Sequence, residues 1–320
     1  MGDRVSEMYR AAELYYEQGA TMDGVARHMR TSRSTVSRLL RDARESGIVR
    51  ISLVRPEQRT AAGEVLAGMF GIEVHVIPVP DLVGDVERLR LVARAAAQRL
   101  AAYAAEEVDP VIGIAWGTTL EQVVHQLEPV PQSRATIVQI NGAANPSTSG
   151  IPYAGMILQD AGRALGERVV QFPVPAFFDE AETRDVLWRE RFVRRMLDLR
   201  RRMDVAVFSV GALSGQVASH VYAGGYLSGD EIADLEADGV VGDICTVMLR
   251  QDGSWADVAI NRRASGMTPE ELGAVPHRLC VVGSPGKTRA LVGALRAGVV
   301  TDLVIDDASA RNTVAVLRAG

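Results

Sequence analysis

The stretch Thr21-Met-Asp-Gly-Val-Ala-Arg-His-Met-Arg-Thr-Ser-Arg-Ser-Thr-Val-Ser-Arg-Leu-Leu-Arg-Asp-Ala-Arg-Glu-Ser-Gly47 predicts two short helices joined by a tight polar turn. Val25 and Met29 give the first an apolar face, and Val36, Leu39, Leu40 and Ala43 recur at i, i+3, i+4, i+7 in the second. Thr31 or Ser32 suits the N-cap of that second helix, and Gly47 falls where a helix ends in a left-handed residue. The opposite face carries Ser32, Arg33, Ser34, Thr35, Ser37, Arg38 and Arg41. Forked guanidinium donors beside short hydroxyls are what a recognition helix needs in the major groove of DNA. Seven arginines lie from Arg27 to Arg50 against Asp42 and Glu45, in a chain whose net charge is −5.

Two apolar patterns complete a small N-terminal domain. Val5, Met8, Ala11, Ala12 and Tyr15 have helical spacing, predicting a first helix that covers the pair. Ile48-Val-Arg-Ile-Ser-Leu-Val54 alternates like a half-buried strand, so a winged helix-turn-helix over residues 1–53 is expected. Pro56-Glu-Gln-Arg-Thr60 breaks the pattern and places a linker at 54–60, leaving 61–320 for one large domain.

Composition narrows the class. A hydrophobic content of 47% marks a globular chain, and its overall acidity confines nucleic-acid binding to the head. The amino terminus lacks the basic-then-apolar order of a signal peptide. The charge-free segments Thr136–Gln159 and Val205–Gly229 are too rich in Gly, Ser, Asn and Pro for membrane helices. Cys245 and Cys280 make no disulfide framework, so a cytoplasmic protein with no metal or cofactor is expected.

Beyond residue 60 short apolar runs alternate with helical stretches. Strands are predicted at Glu73–Ile77, Val111–Ala115, Thr136–Ile140, Arg168–Gln171, Val205–Ser209, Leu279–Val282 and Leu303–Ile305, with a long helix over Asp85–Ala105. That rhythm predicts an α/β domain with a mostly parallel sheet covered on both faces. Asp243 to Arg250, followed by Asp252-Gly253, reads instead as an antiparallel hairpin.

Ligands of such sheets bind at the turns after the strands. Trp116-Gly-Thr-Thr119 offers a close backbone at Gly117 and the hydroxyls and N–H groups of Thr118 and Thr119 at a helix N-terminus, where an anion is favoured. Asn141-Gly-Ala-Ala-Asn145 and Gly211-Ala-Leu-Ser214 hold equivalent positions, as sites or as plain turns. The chain has a single lysine, Lys287, in a Gly-rich turn after a strand, where a compact charge suits a phosphate. Asp243 and Asp306 are candidates either for sugar hydroxyls or for helix caps.

Ser34-Thr-Val-Ser-Arg-Leu-Leu40, Ala43-Arg-Glu-Ser-Gly-Ile-Val49, Gly113-Ile-Ala-Trp-Gly-Thr-Thr-Leu120, Val240-Val-Gly-Asp-Ile244 and Ala294–Asp307 together resemble the SorC-type sugar-binding transcriptional regulators. The resemblance covers nearly the whole chain. It implies an effector domain with the fold of sugar phosphate isomerases and deaminases, a phosphorylated sugar or polyol ligand, operator DNA and a homo-oligomer. By the same resemblance Gly117, Thr118, Thr119 and Lys287 hold the phosphate, while Asn141, Asp243 and Asp306 face the sugar. The expected function is a repressor of a carbohydrate-catabolism operon rather than an enzyme. The alternative, an active sugar phosphate isomerase or deaminase fused to a DNA-binding head, needs a tuned base. No histidine falls in the nominated turns; His220 and His277 could reach a pocket but have no carboxylate paired with them, and Asp243 or Asp306 could serve.

Overall fold

The computed structural model describes residues 2–49, 60–80, 82–146, 150–166, 168–213 and 219–319. The chain divides into two units, residues 1–56 and 57–320.

In the smaller unit α1 (Gly2–Ala12) runs on into a π-helical turn over Glu13–Glu17, followed by α2 (Met22–His28) and α3 (Arg33–Glu45). Each helix of the pair is started by a side-chain cap. Thr21 Oγ1 accepts the Gly24 N–H and Ser32 Oγ accepts the Thr35 N–H, both at 3.1 Å. Met8, Ala11, Leu14, Val25, Val36, Leu39, Leu40 and Ala43 form the core. Val5, expected inside, is 52% exposed. Its neighbour Arg4, rather than Val5, reaches α3, through an ion pair with Asp42 at 2.8 Å. Gly47 takes the left-handed conformation, with φ +78°. Ile48 and Val49 follow in a turn rather than a strand. Residues 50–54 of the expected wing strand and 54–59 of the expected linker lie outside the described residues. Thr60 belongs to structure already, because its hydroxyl caps the next helix.

The larger unit opens with α4 (Ala61–Phe70), β1 (Glu73–Ile77), α5 (Asp85–Glu106), β2 (Val111–Ile114) and α6 (Thr118–His125). It continues through β3 (Thr136–Gln139), α7 (Ile151–Leu165), β4 (Arg168–Val170), α8 (Ala181–Leu187), α9 (Arg191–Arg201), β5 (Val205–Phe208) and β6 (Val210–Ala212). It closes with α10 (His220–Ala223), α11 (Gly229–Ala237), β7 (Val240–Ile244), β8 (Val247–Arg250), α12 (Pro269–Gly273), β9 (His277–Val282), α13 (Thr288–Arg296), β10 (Asp302–Asp306) and α14 (Asp307–Ala319).

Seven strands form one parallel sheet in the order β1-β10-β9-β5-β2-β3-β4. Its central strands are buried on both faces, which is why they read as unbroken apolar runs. One face packs with Val92, Leu100, Ile112, Leu158 and Val205, the other with Val138, Phe208, Leu291, Leu303 and Val314. The second sheet, β6-β7-β8, is antiparallel. Its hairpin turns at Cys245 and Thr246, with φ of +48° and +70°, not at Asp252-Gly253. That left-handed pair folds β8 directly back on β7, so Cys245 sits in a buried turn rather than in a strand.

Candidate functional site

A cavity of about 190 Å³ opens beyond the carboxyl ends of β2, β5 and β9 and is walled by β6 and β7. Lys287 lines it, and its ammonium donates to Thr119 Oγ1 and to Ser209 Oγ, each at 3.0 Å. The two threonines stand at the first residues of α6, whose free N–H groups and dipole favour an anion. Gly117, with φ +143°, takes a backbone conformation that L side chains rarely adopt. Burial pushes the Lys287 pKa down to about 8, against the opposing pull of Cys280 and Asp243.

The wall also holds two buried acceptor atoms, Asn141 Oδ1 and Asp243 Oδ1, for which the described residues supply no partner at hydrogen-bond geometry. The Tyr222 hydroxyl is the nearest source of a donor to the Asp243 carboxyl. An unpaired buried acceptor is costly, so such atoms in a cavity wall mark where donors of a ligand are received. The other oxygen of Asp243 accepts the Thr246 N–H at 3.0 Å. Burial raises the Asp243 pKa to about 6, with the Thr246 N–H, the Tyr222 hydroxyl and the Lys287 charge acting against it. Trp116, a further wall, is fixed by donating Nε1–H to the Gly142 carbonyl at 2.9 Å and by stacking on Tyr226 at 4.9 Å.

The structure thus brings together Gly117, Thr118, Thr119, Asn141, Asp243 and Lys287 on one cavity. Asp306 is not among the lining residues. Its carboxylate is fully buried, accepts from Arg88 Nη1 at 2.9 Å and takes the Ser309 N–H at 3.0 Å at the start of α14. It follows the cap reading. Sequence reasoning missed Ser209 and Ser219, which also line the cavity, as does His220, one of the two histidines expected within reach of a pocket. Ser209 was hidden in a strand reading, although it is the first polar residue after β5. His277, by contrast, stacks on Tyr103 at 4.6 Å, away from the cavity.

The outer face of α3 exposes Arg33, Ser34, Ser37, Arg38 and Arg41, while Thr35 is half-buried and the Ser32 hydroxyl is engaged as the cap. Arg33 lies 4.0 Å from Asp23 and Arg41 3.9 Å from Glu45. Such exposed pairs hold side chains weakly and leave them able to exchange partners. Elsewhere Glu73, His75 and Asp302 cluster, but Arg99 already supplies a cation there, bonding Glu73 and reaching Asp302 at 3.0 Å.

Residues 54–315 match the family described as "Putative sugar-binding domain". The chain belongs to the SorC-type family of sugar-binding transcriptional regulators. Across 310 residues it is 29% identical to the deoxyribonucleoside regulator of Bacillus subtilis, covering 95% of this chain and 96% of that one. A crystallised domain of a possible sugar-binding transcriptional regulator from Arthrobacter aurescens is 41% identical, with a TM-score of 0.74 over 82% of this chain and all of that chain. The full-length sorbitol operon regulator SorC of Klebsiella pneumoniae shares the fold, with a TM-score of 0.81 at 23% identity over 97% of this chain and 98% of that one. These relatives are transcriptional regulators, not enzymes. Among the described residues no helix is long and apolar enough to cross a membrane.

Proposed function

We propose that the protein is a cytoplasmic, DNA-binding repressor of a carbohydrate-catabolism operon, released from its operator by a phosphorylated sugar or polyol. The observation that carries this reading is the cavity itself. An ammonium and a helix N-terminus meet at one end, and two buried acceptors without partners lie in its wall. The first suits a phosphate and the second suits hydroxyl donors. In this reading residues 61–320 use the architecture of sugar phosphate isomerases and deaminases for binding alone. Residues 1–53 form the helix-turn-helix head, with α3 as recognition helix. One head buries too little surface for tight specific binding, so symmetric heads of a homo-oligomer read a repeated or palindromic site.

Titrating operator DNA in the presence of a panel of phosphorylated sugars and polyols tests this. One ligand of the panel is expected to raise the melting temperature and weaken DNA binding, on the typical scale of roughly 1–3 kcal/mol. A ligand that binds without shifting the DNA curve would remove regulation through affinity, and turnover of any panel member would restore the enzyme alternative.

In the head, Arg33→Ala and Arg38→Ala are each expected to cost roughly 1–3 kcal/mol at the cognate site if they contact bases. A phosphate contact would instead weaken all sequences alike and flatten the salt dependence. Operator affinity unchanged in both variants would displace α3 from the groove.

The pH dependence of effector binding follows from the two shifted groups. Lys287 keeps its charge below about 8 and Asp243 its own above about 6. Effector affinity is therefore expected to peak between these values and to fall on either side. Calorimetric titration between pH 5 and 9 that finds a flat profile would contradict this assignment.

A further inference from the structure

We propose that the basic face of α9 docks on the acidic face of α11 of a second copy of this chain, forming the contact that assembles the effector domain. The proposal rests on the reading of the protein as a homo-oligomer and assigns the face.

Residues 189–202 hold seven arginines against Glu190 and Asp198. α9 turns Val193, Met196 and Arg200 inward and leaves Arg191, Arg194 and Arg195 exposed. Arg201 is paired with Asp198 at 2.8 Å. Among the described residues Arg189, Arg191, Arg194, Arg195 and Arg202 have no carboxylate within ion-pair distance. Phe192 stands between them, 54% exposed. It borders a groove of about 560 Å³ that it shares with Met196, Val169 and Pro173, along the outer edge of the terminal strand β4.

The complementary face is α11. Residues 228–239 contain five acids and no base. Glu231 is held by Arg263 and Asp238 by Arg250 at 2.7 Å, whereas Asp230 and Asp234, four residues apart and so on one face of the helix, are exposed and unpaired among the described residues. Both faces remain unpartnered in one chain, so a copy with the same two faces satisfies both, and a two-fold axis makes the contact twice. DNA fits the basic face less well. Phosphates give no return for covering Phe192 and the groove, and Glu190 and Asp198 would face them, whereas arginine beside an exposed aromatic is the composition of protein interfaces.

Charge reversal tests the pairing. Arg194→Glu with Arg195→Glu, or Asp230→Arg with Asp234→Arg, is expected to raise the dissociation constant of assembly about tenfold or more, as for lost interfacial charge pairs. All four substitutions in one chain are expected to restore it. Sedimentation velocity at micromolar protein reads the assembly, with circular dichroism confirming the fold. Should a reversed variant fail to fold, Arg194→Gln with Arg195→Gln replaces it, with weakened assembly again expected. Wild-type assembly in either double variant, or a fourfold variant that stays dissociated, would overturn the contact. Weakened DNA binding with intact assembly would reassign the face to nucleic acid. A wild-type chain that sediments as a monomer would instead fail the oligomer reading itself.

Discussion

Lys287→Met is expected to abolish the response to a phosphorylated effector while making the effector-free protein more stable. The lysine donates to Thr119 and Ser209 in the cavity wall, and no other lysine exists in the chain to replace it. Its stability effect has the opposite sign to its functional one. Burial holds its pKa at about 8, below the value near 10.4 of an unfolded chain. The unfolded state therefore binds more protons between those values, and stability rises with pH across that window. Below about 8 the full cost of a buried charge is present, on the order of 3 kcal/mol. Methionine removes that cost and keeps the packing of the stem. Thermal unfolding at pH 7 is expected to show a higher midpoint for the variant, and calorimetry to show no effector binding. A destabilised variant that still binds the effector at wild-type affinity would end the assignment.

Gly211→Val is expected to lose both stability and effector binding. Gly211 lies opposite Asp243 in the β6–β7 register, and a Cβ there would overlap Asp243 Oδ1 and come within 2.8 Å of Ser219 Oγ. The carboxylate would be driven off its bond to the Thr246 N–H inside a closed wall, leaving buried polar groups unpaired. Overpacking together with such a loss costs roughly 2–4 kcal/mol. Denaturant unfolding measures the first effect and effector titration the second. Wild-type stability would mean that the wall yields, and that Asp243 is not held where its partnerless oxygen requires.

The contrast between the two variants separates a residue that the fold tolerates for function from one that the fold requires. Lys287 and Asp243 are each placed at a cost to the empty domain, since burial shifts both pKa values toward the neutral form. Such placements suit a site whose charges are repaid only when a ligand arrives.

Much of this was legible along the chain because its causes are local. Helix starts at Thr21 and Ser32 depend on a hydroxyl and an amide three residues on. The parallel strands betray themselves because burial on both faces demands unbroken apolar runs, and the anion site proposed at Thr118–Thr119 rests on one helix terminus. The folded chain alone decided what depends on distant partners. Asp243 and Asp306 carry the same side chain after strands, yet one faces the cavity and the other is claimed by Arg88 from 218 residues away. Lys287 meets Thr119 and Ser209 across 168 and 78 residues, and no spacing rule could have named Ser209 as its acceptor. The hairpin turn at Cys245–Thr246 defied its sequence because pairing of β7 with β8 sets two non-glycine residues in left-handed conformations that local preference disfavours. Capping and periodicity act over a few residues and so leave a trace in sequence, whereas convergence at the carboxyl ends of a sheet is set by strand order, which exists only once the chain has folded.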